Sequence, residues 1–121
     1  MKNMAAVAPA ELPTTTTTGR QIPIVCPGHT RPLAELQFCS ISENDHDEKR
    51  TFLVSACHDK MPMLRDGATG DWIGTFAGHK GAVWSCRLDP AALLAGTASG
   101  DFSVQVWDAI TNPEKVKAWQ Y

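Results

Sequence analysis

The chain has 121 residues, 43% of them hydrophobic and 20% charged, with a net charge of −2. That is the size and balance of one soluble globular domain, and a chain so close to neutral exerts no general electrostatic pull on nucleic acid. No window approaches the roughly 20 apolar residues that a membrane-spanning helix needs, and the apolar run at residues 4–8 is too short for a secretory signal, so the cytoplasm, with access to the nucleus, is the expected location.

Residues 1–20 read as a disordered leader, because the all-threonine run at 14–18 offers no apolar face to bury. From residue 21 the chain becomes a series of short strands. An opening strand is predicted over 21–26, stopped by Pro27-Gly28. The next covers 32–40, where Leu36 and Phe38 alternate with Glu35 and Gln37. Residues 42–50 (SENDHDEKR) read as a polar loop carrying Glu43, Asp45, Asp47 and Glu48. Strands follow at 51–57, 61–65 and 71–76, separated by His58-Asp59-Lys60 and by a turn rich in Gly and Asp. A second series is predicted at 82–88, 93–98, 103–107 and 115–121. No 3.6-residue amphipathic period competes with this spacing, so the fold class is all-β. The organisation expected is a leader over 1–20, a first unit with its opening strand over 21–77, and a second, truncated unit over 78–121.

The two units are an internal repeat. Gly28-His29 and Gly78-His79 lie 50 residues apart. Asp59 follows His29 by 30 residues and Asp101 follows His79 by 22, the polar loop taking up the difference. Beyond it the spacing is identical, with Arg65 six residues after Asp59 and Trp107 six after Asp101. A Gly-His opening, an Asp in a tight turn and a closing Trp107-Asp108 mark a β-propeller blade. The expected architecture is a partial β-propeller of the WD-repeat type, with an opening strand and about two four-stranded antiparallel blades. A blade buries both faces only against its neighbours. The chain is therefore expected to be a truncated form, with open faces available for self-association.

In such a blade His79, Ser99, Asp101 and Trp107 are predicted to link by hydrogen bonds, with His29 and Asp59 doing the same in the first unit. There Cys57 stands at the hydroxyl position and Arg65 at the Trp position. Buried polar groups must be paired, so the set reads as structural. A Ser–His–Asp set also suggests nucleophilic catalysis, but that needs an exposed oxygen and an oxyanion hole, and no catalytic residue is assigned. Cys26-x-x-His29 and Cys57-His58 contain metal-ligand types without the two close pairs usual for zinc, so no metal or cofactor is expected. Cys26, Cys39, Cys57 and Cys86 read as reduced, half-buried thiols on or at the edges of strands. The acidic loop reads as a solvated insertion, or as a docking patch for a basic partner. Trp72 and Trp84 lie six residues either side of Gly78, which suits packing between blades. Arg31, Lys80 and Trp84, in or beside the rim loops, are the candidates for contacting a protein partner.

The run SACHDKMPMLRDGATGDWIGTFAGHKGAVW, starting at Ser55, and the run CPGHTRPLAELQF, starting at Cys26, resemble the WD-repeat family of the serine/threonine kinase receptor-associated protein, departures at Cys57 and Arg65 included. The resemblance covers residues 22–108 and omits the Thr-rich leader, the acidic loop and the last dozen residues. It implies a seven-bladed propeller that is a scaffold and not an enzyme. It also implies work in spliceosomal ribonucleoprotein assembly, with the survival-of-motor-neuron complex, and in receptor-kinase signalling. The partners implied are other proteins of a ribonucleoprotein assembly complex, with no direct binding of nucleic acid or membrane. The pattern from Gly78-His79 to Val83-Trp84 is also similar to the WD-repeat subunit of eukaryotic translation initiation factor three. That is the alternative reading, and a small metal-dependent hydrolase is the remote one.

Overall fold

The structure, a computed structural model, describes residues 21–42, 49–109 and 116–119. The Thr-rich leader, the carboxylates Glu43, Asp45, Asp47 and Glu48, and the ends of the last predicted strand lie outside the described residues.

Among the described residues, eight strands form two four-stranded antiparallel sheets. The first contains β1 (Leu33–Ser42), β2 (Lys49–Cys57), β3 (Met63–Asp66) and β4 (Trp72–Thr75), paired in chain order. The second contains β5 (Val83–Leu88), β6 (Leu94–Ser99), β7 (Val104–Asp108) and β8 (Val116–Trp119), again in chain order. These are the two blades expected from the repeat. Among the described residues no helix is long and apolar enough to cross a membrane.

Two expectations are corrected. Residues 21–26 are not a strand and pair with no ladder. Pro23 has no N–H to offer one. The segment instead passes the β3–β4 turn, where a Cβ on Gly70 would stand 2.8 Å from Cys26 Sγ and 2.9 Å from Ile24. The polar loop is also shorter than expected, because Ser42 pairs with Lys49 and Ile41 with Arg50 in the β1–β2 ladder.

The first strand of each sheet bulges at the same end. Leu33 pairs with Cys57 but Glu35 with Ala56, and Val83 pairs with Ser99 but Ser85 with Ala98. The extra residues are Ala34 and Trp84. A bulge re-aims the side chain of its extra residue, and Trp84 is 56% exposed.

One hydrophobic core runs through both sheets, joining Phe52, Val54 and Leu64 of the first to Val83, Cys86, Leu88 and Ala95 of the second. Phe76, just past β4, packs on Trp107 of β7 with ring centroids 5.1 Å apart. The chain from β4 to β7 therefore ties one sheet to the next.

The strands β1 and β5 meet through polar side chains. As an edge strand, β5 has outward N–H groups that need acceptors. Glu35 accepts from Cys86 N–H at 3.1 Å, from Ser85 Oγ at 2.6 Å and from the Arg87 guanidinium at 2.6 Å. Gln37 Oε1 accepts from Leu88 N–H at 2.6 Å. The Ser85 hydrogen bond, ahead of the opposing effect of burial, holds the Glu35 carboxyl below its ordinary range. Glu35→Ala strands the Cys86 N–H and is expected to lower stability by about 1–3 kcal/mol. Glu35→Gln keeps an acceptor and should lose less, both read as urea midpoints. The other face of β1 is open, with Phe38 62% exposed and Leu36 beside it.

Candidate functional site

His79 is buried between β6, β7 and the tight turn that joins them. Its Nδ1 lies 3.2 Å from Asp101 Oδ2 and 3.1 Å from Ser103 Oγ, and its Nε2 lies 2.7 Å from Thr97 Oγ1. Trp107 Nε1 donates to Thr97 Oγ1 at 2.8 Å. A carboxylate can only accept, so in the neutral imidazole Nδ1 carries the proton and Nε2 accepts from the Thr97 hydroxyl. Indole, hydroxyl, imidazole and carboxylate thus form one directed chain. Asp101 also accepts from Lys80 N–H at 2.7 Å and Ser103 N–H at 2.9 Å. The Ser103 hydroxyl first, then these N–H groups and His79, hold the Asp101 carboxyl far below its ordinary range against the effect of burial. Gly81 permits the approach, since a Cβ there would stand 2.8 Å from the Asp101 nitrogen.

The hydroxyl of this chain is Thr97, not Ser99. The two lie on one face of β6, so strand alternation does not separate them. Position along the ladder does, because Trp107 pairs with Ala95 and its indole reaches Thr97. Ser99 lies at the strand end, where its Oγ is 3.0 Å from the Gly81 and Ala82 carbonyls and accepts from Asp101 N–H at 3.2 Å.

The first unit shows the same displacement, with Ser55 and not Cys57 as its hydroxyl. His29 Nδ1 lies 2.8 Å from Asp59 Oδ2, and His29 Nε2 lies 2.7 Å from Ser55 Oγ. This is the connectivity of a nucleophilic triad, and its context decides what it can do. Ser55 is buried within β2, paired to Leu36 on one side and Met63 on the other. A nucleophile needs an exposed oxygen, and Ser55 is 4% exposed. Arg65, at the position of Trp107, turns away from Ser55. Its buried guanidinium donates to the Pro27 carbonyl and lies 3.2 Å from Met63 Sδ, while Ser55 Oγ lies 3.4 Å from the Met63 carbonyl.

Burial alone would raise the Asp59 carboxyl. Hydrogen bonds from His29, Met61 N–H and Thr30 N–H outweigh it and hold Asp59 below its ordinary range. Asp59, Asp101 and Glu35 are all depressed in the folded state. The stability they contribute is complete above the unfolded-chain value of about pH 4 and is lost as pH falls through the folded values. Thermal melts should therefore fall below about pH 4, and Asp101→Asn should flatten that acid limb. A melting temperature that rises on acidification would contradict the assignment.

His29, Cys57 and Asp59 bring ligand-type atoms within 4.8 Å of one another. Each is already engaged. The Cys57 thiol donates to the Arg31 carbonyl at 3.1 Å, and burial raises it. A thiol kept protonated on a carbonyl is a poor metal ligand. Burial pushes the Cys86 thiol to about 12, so it too is inert. Cys39, Cys57 and Cys86 are buried free thiols on strands, whereas Cys26 is partly exposed and lies ahead of β1 rather than on a strand.

Arg31, Lys80 and Trp84 lie at one end of the two sheets, with the turns that carry Asp59 and Asp101. Arg31 precedes β1 and is exposed, as is Lys80 ahead of β5. Trp84 meets the His58 ring edge-on at 4.4 Å. A cleft of about 530 Å³ opens here, lined by Thr30, Arg31, Pro32, His58, Asp59 and Lys60. The sequence offered His58 only as a metal-ligand type and did not offer Lys60 or Phe102 as contacts for a partner. Their signal was position, since Lys60 and Phe102 each directly follow the repeat Asp and share a left-handed backbone, φ 74° and 68°.

Two adjacent four-stranded sheets, each with an imidazole clamped between the loop ahead of its first strand and a later tight turn, define a class. Residues 70–108 match the family described as WD domain, G-beta repeat, a stretch that runs from just before β4 to the end of β7. That stretch of the chain is a WD repeat. Within that class the chain is similar to the serine-threonine kinase receptor-associated protein of Homo sapiens, at 53% identity over 95 residues, covering 78% of this chain and 26% of that one. The Dictyostelium discoideum protein of that name is 49% identical over 92 residues, covering 76% and 30%. A weaker likeness, 35% over 99 residues covering 82% and 27%, is to eukaryotic translation initiation factor 3 subunit I of Emericella nidulans. The chain spans little more than a quarter of the length of the curated relatives it matches.

Proposed function

We propose that the chain is part of a non-catalytic WD-repeat scaffold that binds other proteins, acting in spliceosomal ribonucleoprotein assembly and mRNA splicing and in the regulation of receptor-kinase signalling. The observation that carries this reading is the closure of the polar networks. The imidazoles, carboxylates and hydroxyls that could do chemistry are occupied in fixing turns, with His79, Thr97 and Ser103 all buried. The rim loops are left as the exposed chemistry. The likeness to the receptor-associated protein supports proteins as partners, and the proposed place of action is the cytoplasm with access to the nucleus. Cross-linked affinity capture from the source cells, read by mass spectrometry, should enrich subunits of a ribonucleoprotein assembly complex. Capture that recovers none of them would overturn this role.

The 35% identity to initiation factor 3 subunit I favours a second reading, a part in translation initiation. Co-sedimentation with small ribosomal subunits would select it over the first.

A further inference from the structure

The strand directions place most of the turn carboxylates at one end of the sheets. At the other end lie the segments that lead into β1 and β5 and the turns that follow β2 and β6. Arg31, Lys60 and Lys80 are exposed there. The carboxylates at that end, Asp59 and Asp101, are tied to His29 and His79. Asp66, Asp71 and Asp89 sit in turns at the opposite end. Arg31, Lys60 and Lys80 thus share this rim, while Lys49, Arg50 and Arg87 are exposed towards the opposite end, where Arg87 pairs with Glu35.

That rim also carries two aromatic side chains that the fold does not need there. Phe102 is 93% exposed and holds φ at 68°. A bulky side chain in the left-handed region is strained, and its exposure returns no burial energy. Trp84 is turned outward by the bulge in β5. It touches His58 of the first sheet, and a Cβ on Gly100 would stand 3.1 Å from its Nε1. Lys60, His58, Trp84 and Phe102 thus follow one another as a strip across both sheets, beside the cleft at Arg31. Strain and exposed aromatic surface beside a cleft are features of a binding rim.

We propose that this rim binds an acidic peptide segment whose carboxylates are interleaved with aromatic or aliphatic residues. The carboxylates meet Arg31, Lys60 and Lys80, and the apolar residues cover Trp84 and Phe102. This deepens the scaffold reading and rests on it. A polyphosphate backbone fits less well. Three cations are few for a strand that is held by repeated phosphate contacts, and a polyphosphate offers no apolar side chains to cover Trp84 and Phe102.

The full chain is titrated into a fluorescein-labelled peptide of Glu-Phe-Asp repeats, the same peptide with Lys for each acidic residue, and labelled oligouridine. The acidic peptide should bind about tenfold or more tighter than either alternative and weaken as salt is raised. Lys60→Glu with Lys80→Glu should weaken it by about tenfold or more, whereas Lys49→Glu, at the other end of the sheet, should not. Phe102→Gly should also weaken it while leaving the melting temperature unchanged or higher, because Gly suits the left-handed backbone. No binding, equal binding of the basic peptide, preference for RNA, or binding indifferent to Lys60, Lys80 and Phe102 would each overturn the proposal. If cross-linked capture still recovers the assembly subunits in that case, the scaffold reading stands and only the rim assignment falls.

Discussion

Trp107→Ala is expected to lower the stability of the chain by about 3–5 kcal/mol, the range for removing a large aromatic side chain from a core. Trp107 is 1% exposed. Its ring packs on Phe76 at 5.1 Å and faces His79 at 6.3 Å. Because Phe76 comes from just past β4 and Trp107 from β7, the cavity opens where the two sheets are joined and does not collapse easily. The substitution also removes the only donor that Thr97 receives from β7 among the described hydrogen bonds. Trp107→Phe keeps most of the volume and loses the N–H, so it should cost less. Urea unfolding followed by circular dichroism reads both variants, since the fluorescence of the chain changes with the substitution itself. A loss under about 1 kcal/mol for Trp107→Ala would mean that the indole is not a core element.

His79→Ala is expected to cost about 1–3 kcal/mol, because it strands buried partners on both sides of the ring. Thr97 loses its acceptor, and Asp101 and Ser103 lose the donor that links them to the sheet. The order of effects among hydroxyl variants is the sharper reading. Thr97→Val leaves both His79 Nε2 and the Trp107 indole without their partner and should cost about as much as His79→Ala. Ser99→Ala removes bonds at the exposed end of β6 and should cost clearly less. Equal costs, or the reverse order, would restore Ser99 as the hydroxyl of the network.

Much of the architecture was legible because it repeats. The spacing from Asp59 to Arg65 recurs from Asp101 to Trp107, and each copy folds into a four-stranded sheet in chain order. The hydroxyl was misplaced by two residues, in Ser99 for Thr97 and Cys57 for Ser55, because two-residue steps along a strand preserve the face and only the ladder register tells them apart. The alternation in β1 concealed more. Leu36 and Phe38 have the look of a core face, yet they are exposed, and the polar face of Glu35 and Gln37 is the one packed on β5. The cause is long-range, since the edge N–H groups of β5 need acceptors and only the tertiary arrangement reveals which strand supplies them. The opening strand at 21–26 looked adequate by composition, but it lacks a partner ladder and contains Pro23. The rim was half legible. Arg31, Lys80 and Trp84 stand in loops or at a strand start, while Lys60 and Phe102 gain their meaning from a backbone conformation.

The central claim is that the polar set around His79 is a closed structural network and not a site of chemistry. Hydrogen exchange at the Trp107 indole N–H, followed by NMR with the exposed Trp84 indole as internal reference, tests it most directly. If the network is closed, the Trp107 indole exchanges only with global unfolding, and denaturant accelerates it in step with the loss of stability. Exchange as fast as that of Trp84 would mean that the set is open to water, and the assignment of His79, Thr97 and Asp101 to structure alone would be wrong.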